Sequence, residues 1–342
     1  MNNHYNSKSS NFNEALKKIK QIQIANEKRA EVEKSDLNKT VNKSTNNLEL
    51  ENNFFIPSIS DLGNKDCWAV MDVCIVRLSK TYQRKNDSLT YKIKGGEIQV
   101  NSGADGMATI WDYDLIIMGI SYLTEAMNRY SQGRGEKPGR VFKPKIIEVI
   151  NFLQKRRGGK QYELIEQSLK RLATTHVTIK RVIKNKFDEE ILETQGESLI
   201  NRYKVIRNQK TSNIESLEIE LPYWIWKHVV ESKNPKVLTV SPDYFLINSG
   251  IARFVYRLAR QAAGKTIARW SFETLLERSG SPDVKYKFNY KLRQIIKDNN
   301  LPDYYFSEET GKNGPIFVME NREYKERKDN EANEDNEANE DD

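Results

Sequence analysis

Between residues 285 and 297 the chain sets two tyrosines among five cations: Lys285, Tyr286, Lys287, Tyr290, Lys291, Arg293 and Lys297, with Asn289 between them. On a helix with Phe288, Leu292 and Ile295 turned to a core, 100° per residue centres Tyr286, Tyr290, Arg293 and Lys297 on the opposite face. Asn289 then lies at the border of that face, and Lys285, Lys287 and Lys291 flank it. These residue types suit recognition of double-stranded DNA. Arginine takes guanine in a bidentate contact and asparagine takes adenine, while lysine and tyrosine reach phosphates. A solvated basic helix is the alternative, but such a face has little use for two aromatics.

Other chemistries find less support. Two exposed tyrosines raise a DNA-nicking nucleophile, yet that reaction needs a metal to polarise the phosphate. The three histidines, His4, His176 and His228, are scattered, no His-x-His pair exists, and no carboxylates single themselves out. Gly264-Lys265-Thr266 ends like a phosphate-binding loop, but the first glycine of that motif would fall at Ala259, and the segment follows a helix. A binding protein is therefore expected, not an enzyme, with no cofactor and no metal site.

A second, more dilute basic patch lies earlier. Lys155, Arg156 and Arg157 sit at a turn suited to phosphates, and a following helix exposes Lys160, Gln161, Glu163, Gln167, Lys170 and Arg171. Glutamates lower its charge, so a protein interface is an equal reading. Lys180, Arg181 and Lys184 continue on the next strand. Arg253, Arg257 and Arg260 stripe one side of a later helix, read as a solvated outer face with DNA-backbone contact as the alternative.

The elements that must position these residues follow from periodicity. Net charge is +7 over 342 residues, but the last fourteen carry eight acids and no base, leaving the rest at +15. A body that basic points to a polyanionic partner. At 37% hydrophobic and 30% charged, part of the chain cannot bury a core. That part is expected at 1–55, Asn/Lys-rich and mostly disordered, with Ala15–Ala25 as an alternative docking helix. It is also expected at 323–342, an acidic repeat read as a solvated tail or as a phosphate mimic. The apolar runs, such as Leu115–Met118, are too short to span a membrane. With no secretory signal and only Cys67 and Cys74, a reducing cytoplasm is expected.

Cys67–Leu78, Leu89–Lys94 and Glu97–Asn101 read as strands, with Gly95-Gly96 as a turn. Two series with one order of parts follow. In the first, Asp112 caps a helix with Ile116, Ile120, Leu123 and Met127 on one face. A short helix over Pro144–Gln154, a Gly158-Gly159 turn and a helix over Lys160–Ala173 come next. Strands over Val177–Ile183, Asn201–Arg207 and Leu217–Leu221 and a closing helix over Pro222–Val230 complete it. In the second, Ser249 caps a helix carrying Ile251, Val255, Leu258 and Ala262. A strand over Ile267–Trp270, a helix capped by Ser271, and a helix begun by Ser281-Pro282 follow. Strands over Asp303–Ser307 and Ile316–Glu320 end it, joined through Lys312-Asn313 as a wing. Helix, short helix, glycine turn, helix and hairpin is the order of a winged helix, whose third helix enters a major groove. The expected fold class is α+β: tandem winged-helix domains at 56–235 and 236–322, the first preceded by a small β region, with disordered tails.

Thr109-Ile-Trp-Asp-Tyr-Asp-Leu-Ile-Ile, Arg156-Arg-Gly-Gly-Lys-Gln-Tyr-Glu and Leu169-Lys-Arg-Leu resemble blocks of the plasmid replication initiator protein A family. Leu238-Thr-Val-Ser-Pro-Asp-Tyr-Phe, Tyr256-Arg-Leu-Ala-Arg and Leu301-Pro-Asp-Tyr are similar to later blocks, so the resemblance covers Cys67–Asn321 in order. It implies a bacterial plasmid protein that binds repeated sites at its origin and helps open the duplex. It also implies recruitment of the host initiator ATPase and replicative helicase, and a homodimer through the first winged-helix domain. The alternatives are a transcriptional repressor of the same fold and a rolling-circle type nicking enzyme.

Overall fold

Apolar residues at helical spacing, separated by short glycine-marked turns, build one pattern twice. The computed structural model describes residues 65–67 and 73–330, except 94, 157, 185, 212, 233, 234 and 236. The expected disordered region at 1–55 and residues 331–342 of the tail lie outside the described residues, as does Arg157. The described residues all fall in one compact unit.

The first series contains α1 (Asp114–Ser131), β4 (Val141–Phe142), α2 (Ile146–Phe152), α3 (Gly159–Thr174), β7 (Arg202–Arg207) and β8 (Ile214–Glu220). The second contains α5 (Gly250–Ala262), β10 (Ile267–Ser271), α6 (Phe272–Ser279), α7 (Lys285–Asp298), β11 (Tyr304–Gly311) and β12 (Gly314–Asn321). Their sheets have the same order: β4-β8-β7 in one and β10-β12-β11 in the other. In each, the strand between the first two helices pairs with the last strand of the hairpin, as a winged helix requires. The fold is therefore α+β, with two winged helices in tandem.

Into the first winged helix, between α3 and β7, the chain inserts a long hairpin: β5 (His176–Lys184) and β6 (Glu190–Ser198). It joins β2 (Ser88–Ile93) and β3 (Gly96–Asn101) in a four-stranded sheet, β2-β3-β5-β6. Val100, Val177, Tyr91 and Ile98 pack one face of that sheet into the core. β6 and the two-residue β4 were not foreseen; Glu190–Ser198 holds Ile191 and Leu192 alone among polar residues, which leaves no apolar alternation to read.

Several local expectations change. Cys67–Leu78 is not one strand: β1 is Lys65–Cys67, pairing with β9 (Val237–Thr239), while 73–78 is buried loop bridged once, Arg77 to Thr109. Its side chains Val73, Cys74, Ile75 and Val76 are core, so burial rather than strand pairing explains the apolar run. Asp112 does not cap α1, whose N-cap is Tyr113. Ser281-Pro282 lie in the turn, and α7 begins later, after Val284; the Ser281 hydroxyl instead accepts from the Asp283 amide. Ser249 and Ser271 do cap their helices, accepting from the amides of Ala252 and Thr274. The closing helix is α4 (Tyr223–Trp226), continued by a π-helical turn, Lys227–Glu231. Residues 322–330 are helical, so the expected tail begins, over 323–330, as helix, with the Asn321 side chain accepting from the Tyr324 amide.

The two winged helices share one apolar core. Gly280 shows how closely they meet. It ends α6 at φ +57, and a Cβ there would strike the Tyr91 hydroxyl. The neighbouring backbone is tied across as well: the Cys74 amide donates to the Arg278 carbonyl at 2.9 Å, and Arg84 Nη2 to the Gly280 carbonyl at 2.6 Å.

Candidate nucleic-acid interface

α7 is held by three apolar side chains on one side, Phe288, Leu292 and Ile295, all buried as expected. Asn299, at a left-handed φ of 42°, ends it, and its side chain bonds both ways to the Phe306 backbone on β11. The helix and its hairpin are thus locked together. The opposite face is open: Tyr286 is 70% and Tyr290 63% exposed, and Lys285, Lys287, Lys291, Arg293 and Lys297 are exposed around them. Lys312 and Asn313 form the exposed two-residue tip between β11 and β12, where Gly311 pairs with Gly314.

The cations on this face have acidic neighbours. Lys285 Nζ lies 3.0 Å from Glu273, Lys291 Nζ 2.6 Å from Asp283, and Arg293 grips Glu308 with two bonds of 2.9 Å. Exposed pairs of this kind contribute ~0–1 kcal/mol each, so a phosphate can displace the carboxylate of a lysine at little cost. Asn289 departs from the expected reading geometry. It is half-buried, and its side-chain oxygen is turned inward with no hydrogen-bond partner, so the amide must rotate to meet a base.

On α3, Ile165, Leu169 and Leu172 are buried, and Lys160 and Gln167 are exposed, with Gln161 half-buried. Lys155 and Arg156 are exposed in the preceding turn. Lys170 pairs with Asp105 at 3.0 Å. Arg171 turns inward: its Nε and Nη2 each lie 2.8 Å from the Asp112 carboxylate, which also accepts from the Thr109 amide. The hydrogen bonds it donates to Asp112 hold this guanidinium in its charged form. In this structure, then, Arg171 fastens α3 to the segment before α1 rather than facing a groove.

The arginine stripe of α5 is not a solvated face. Arg253 and Arg257 are 0% and 2% exposed. The sequence signal was present: apolar residues at 251, 252, 254, 255, 256, 258 and 259 surround these arginines on every side, the mark of a helix buried all round. Glu308 was also missed. Nothing in the sequence separates it from its neighbour Glu309, because only the hairpin register decides which carboxylate faces α7.

A family model for replication initiator protein A matches residues 65–306. The chain belongs to the replication initiator protein A family. The span that places it in the replication initiator protein A family runs from β1 into the start of β11, taking in the first winged helix and the second through α7, but not its hairpin tip or β12. A protein of Wigglesworthia glossinidia brevipalpis named "Putative replication protein" is 28% identical over 231 residues, 63% of this chain and 79% of that one. Among solved structures, domains 2 and 3 of RctB are similar in fold, with a TM-score of 0.50 and 11% identity over 74% of this chain and 98% of that one. A second structure of RctB domains 2–3 has a TM-score of 0.49 and 10% identity, covering 72% of this chain and 95% of its own. Among the described residues, no helix of this family member is long and apolar enough to cross a membrane.

Proposed function

We propose that this replication initiator binds the repeated sequences of a bacterial plasmid origin by seating α7 in the major groove, with Lys312-Asn313 on the adjacent backbone. The observation that carries the reading is the division of α7: one side locked into the core, the other presenting Tyr286, Tyr290, Arg293 and lysines to solvent. Lys155, Arg156 and Lys160 hold phosphates of a neighbouring groove. Opening of adjacent duplex draws on binding energy, the chain acts in the cytoplasm without a catalytic group of its own, and the host initiator ATPase and helicase are recruited afterwards. The test is a gel-shift series on the plasmid's repeats with Arg293→Ala. A loss of affinity and of base preference is expected; unchanged values end the assignment.

A specific observation favours a second copy of this chain as partner of the first module. Beyond Val182, whose amide donates to the Gly95 carbonyl at 2.8 Å, β5 pairs only with β6 among the described residues, and this projecting ribbon exposes Val182, Ile183, Phe187, Ile191 and Leu192. Patches of this kind mark association surfaces. Lys180, Arg181 and Lys184 on one strand face Thr194, Glu193 and Glu190 on the other. The ribbon is near-neutral and unsuited to DNA, but two copies about a two-fold axis set its cationic strand against its anionic one.

A further inference from the structure

We infer that Glu308 is a positioning residue for base recognition: it presents the outer edge of the Arg293 guanidinium to a guanine. This rests on α7 being the reading helix and adds a residue from a different element, the wing strand.

The guanidinium has five N–H donors in a rigid plane. Glu308 takes those of one edge: Nε donates to Oε2 and Nη2 to Oε1, each at 2.9 Å. The guanidinium carbon also lies 5.5 Å from the ring centre of Phe272, a core side chain 1% exposed. A two-point bond and an aromatic neighbour together fix both the rotation and the tilt of the plane. What remains is the Nη1/Nη2 edge, with the pair of parallel N–H bonds that guanine O6 and N7 accept. Half of the Arg293 side chain stays exposed, so that edge is reachable. The lysines of the same helix cannot be aimed in this way, because each is a point charge on a flexible stem.

β11 supplies its own control. Adjacent residues of a strand point to opposite faces, and Glu309 accordingly leaves Arg293 alone and grips Arg269 of β10, at 2.9 and 3.1 Å. Glu308→Gln and Glu309→Gln therefore remove the same charge from the same strand, but only the first frees Arg293. A carboxylate that merely repels DNA predicts that its loss raises affinity for every sequence alike; one that aims an arginine predicts that its loss changes preference at one position.

The experiment binds the full chain to a duplex library with a randomised centre and sequences the bound fraction. It compares wild type, Arg293→Ala, Arg293→Lys, Glu308→Gln and Glu309→Gln. Arg293→Ala is expected to erase preference for guanine at one position of the selected site by ~10-fold or more, and Arg293→Lys to erase it with less loss of total affinity. Glu308→Gln is expected to weaken preference at that same position, while Glu309→Gln keeps it. If Arg293→Ala alters no position, both the helix assignment and this inference fall. If it does, and Glu308→Gln keeps the full preference or raises affinity for every sequence alike, as Glu309→Gln does, the inference alone falls. Matching thermal unfolding of the two glutamine variants rules out a folding cause.

Discussion

Arg253 Nη1 lies 2.8 Å from both carboxylate oxygens of Asp114, and the two side chains are 1% and 2% exposed. The pair joins the first helix of one winged helix to the first helix of the other. The remaining donors of Arg253 go to the Ile247 and Phe245 carbonyls, each at 2.8 Å, and the Tyr244 ring lies 4.7 Å away. Both charges are thus taken from water together and fully bonded. A buried pair of this kind adds little net stability over an apolar contact, but losing one partner strands the other. It fixes how the second module sits on the first, and so where α7 points relative to α3.

Removing either partner should therefore be costly. Arg253→Ala or Asp114→Ala is expected to lower unfolding free energy by ~3–5 kcal/mol, measured by urea denaturation. A loss below ~1 kcal/mol would mean that the pair is not buried in solution.

Acid titration reports on the same carboxyl. Burial pushes Asp114 up from 3.8 to about 6, against the pull of Arg253. In the window between those values the folded state holds the extra proton. The contribution of this group to stability is therefore present below 3.8 and lost as pH rises through about 6. Wild-type stability should fall relative to that of Asp114→Asn across this window; parallel pH profiles would contradict it.

Salt dependence separates phosphate contacts from base contacts. Lys287→Ala and Lys297→Ala are each expected to weaken binding to all sequences and to reduce the slope of log K against log salt by ~1. An unaltered slope in both would remove them from the phosphate-binding surface.

The projecting ribbon predicts an oligomer. Phe187→Ser with Leu192→Ser should convert dimer to monomer in sedimentation velocity without shifting the thermal midpoint by more than a few degrees, because exposed positions carry ~0.5 kcal/mol or less. A monomeric wild type at micromolar concentration ends the proposal.

Cys74 offers a probe of the core. Burial pushes its thiol up to about 11, so the reactive thiolate is scarce. In a Cys67→Ser background the remaining thiol should resist iodoacetamide until denaturant unfolds the chain; rapid labelling of native protein would refute the burial.

Much of the architecture was legible because it rests on local rules. The apolar spacing at Phe288, Leu292 and Ile295 gave α7 its inner side, and with it the exposure of Tyr286 and Tyr290. Ser249 and Ser271 marked helix starts, and Asn313-Gly314 marked the wing. The misread positions share another cause. Arg171, Arg253 and Arg257 were read as facing solvent or DNA and Asp112 as a helix cap, whereas each has its counterpart far away in the chain: 59 residues separate Asp112 from Arg171, 139 separate Asp114 from Arg253, and Arg257 lies 4.4 Å from the ring centre of Tyr113.

The sequence alone determined two successive winged helices and a basic helix with its tyrosines on the exposed side, because periodicity and capping act over a few residues. Tertiary structure decided which charges reach solvent and which bind the modules together. Burial and ion pairing depend on what lies across space, and for Arg253, Arg171 and Arg293 that neighbour comes from another element of the fold.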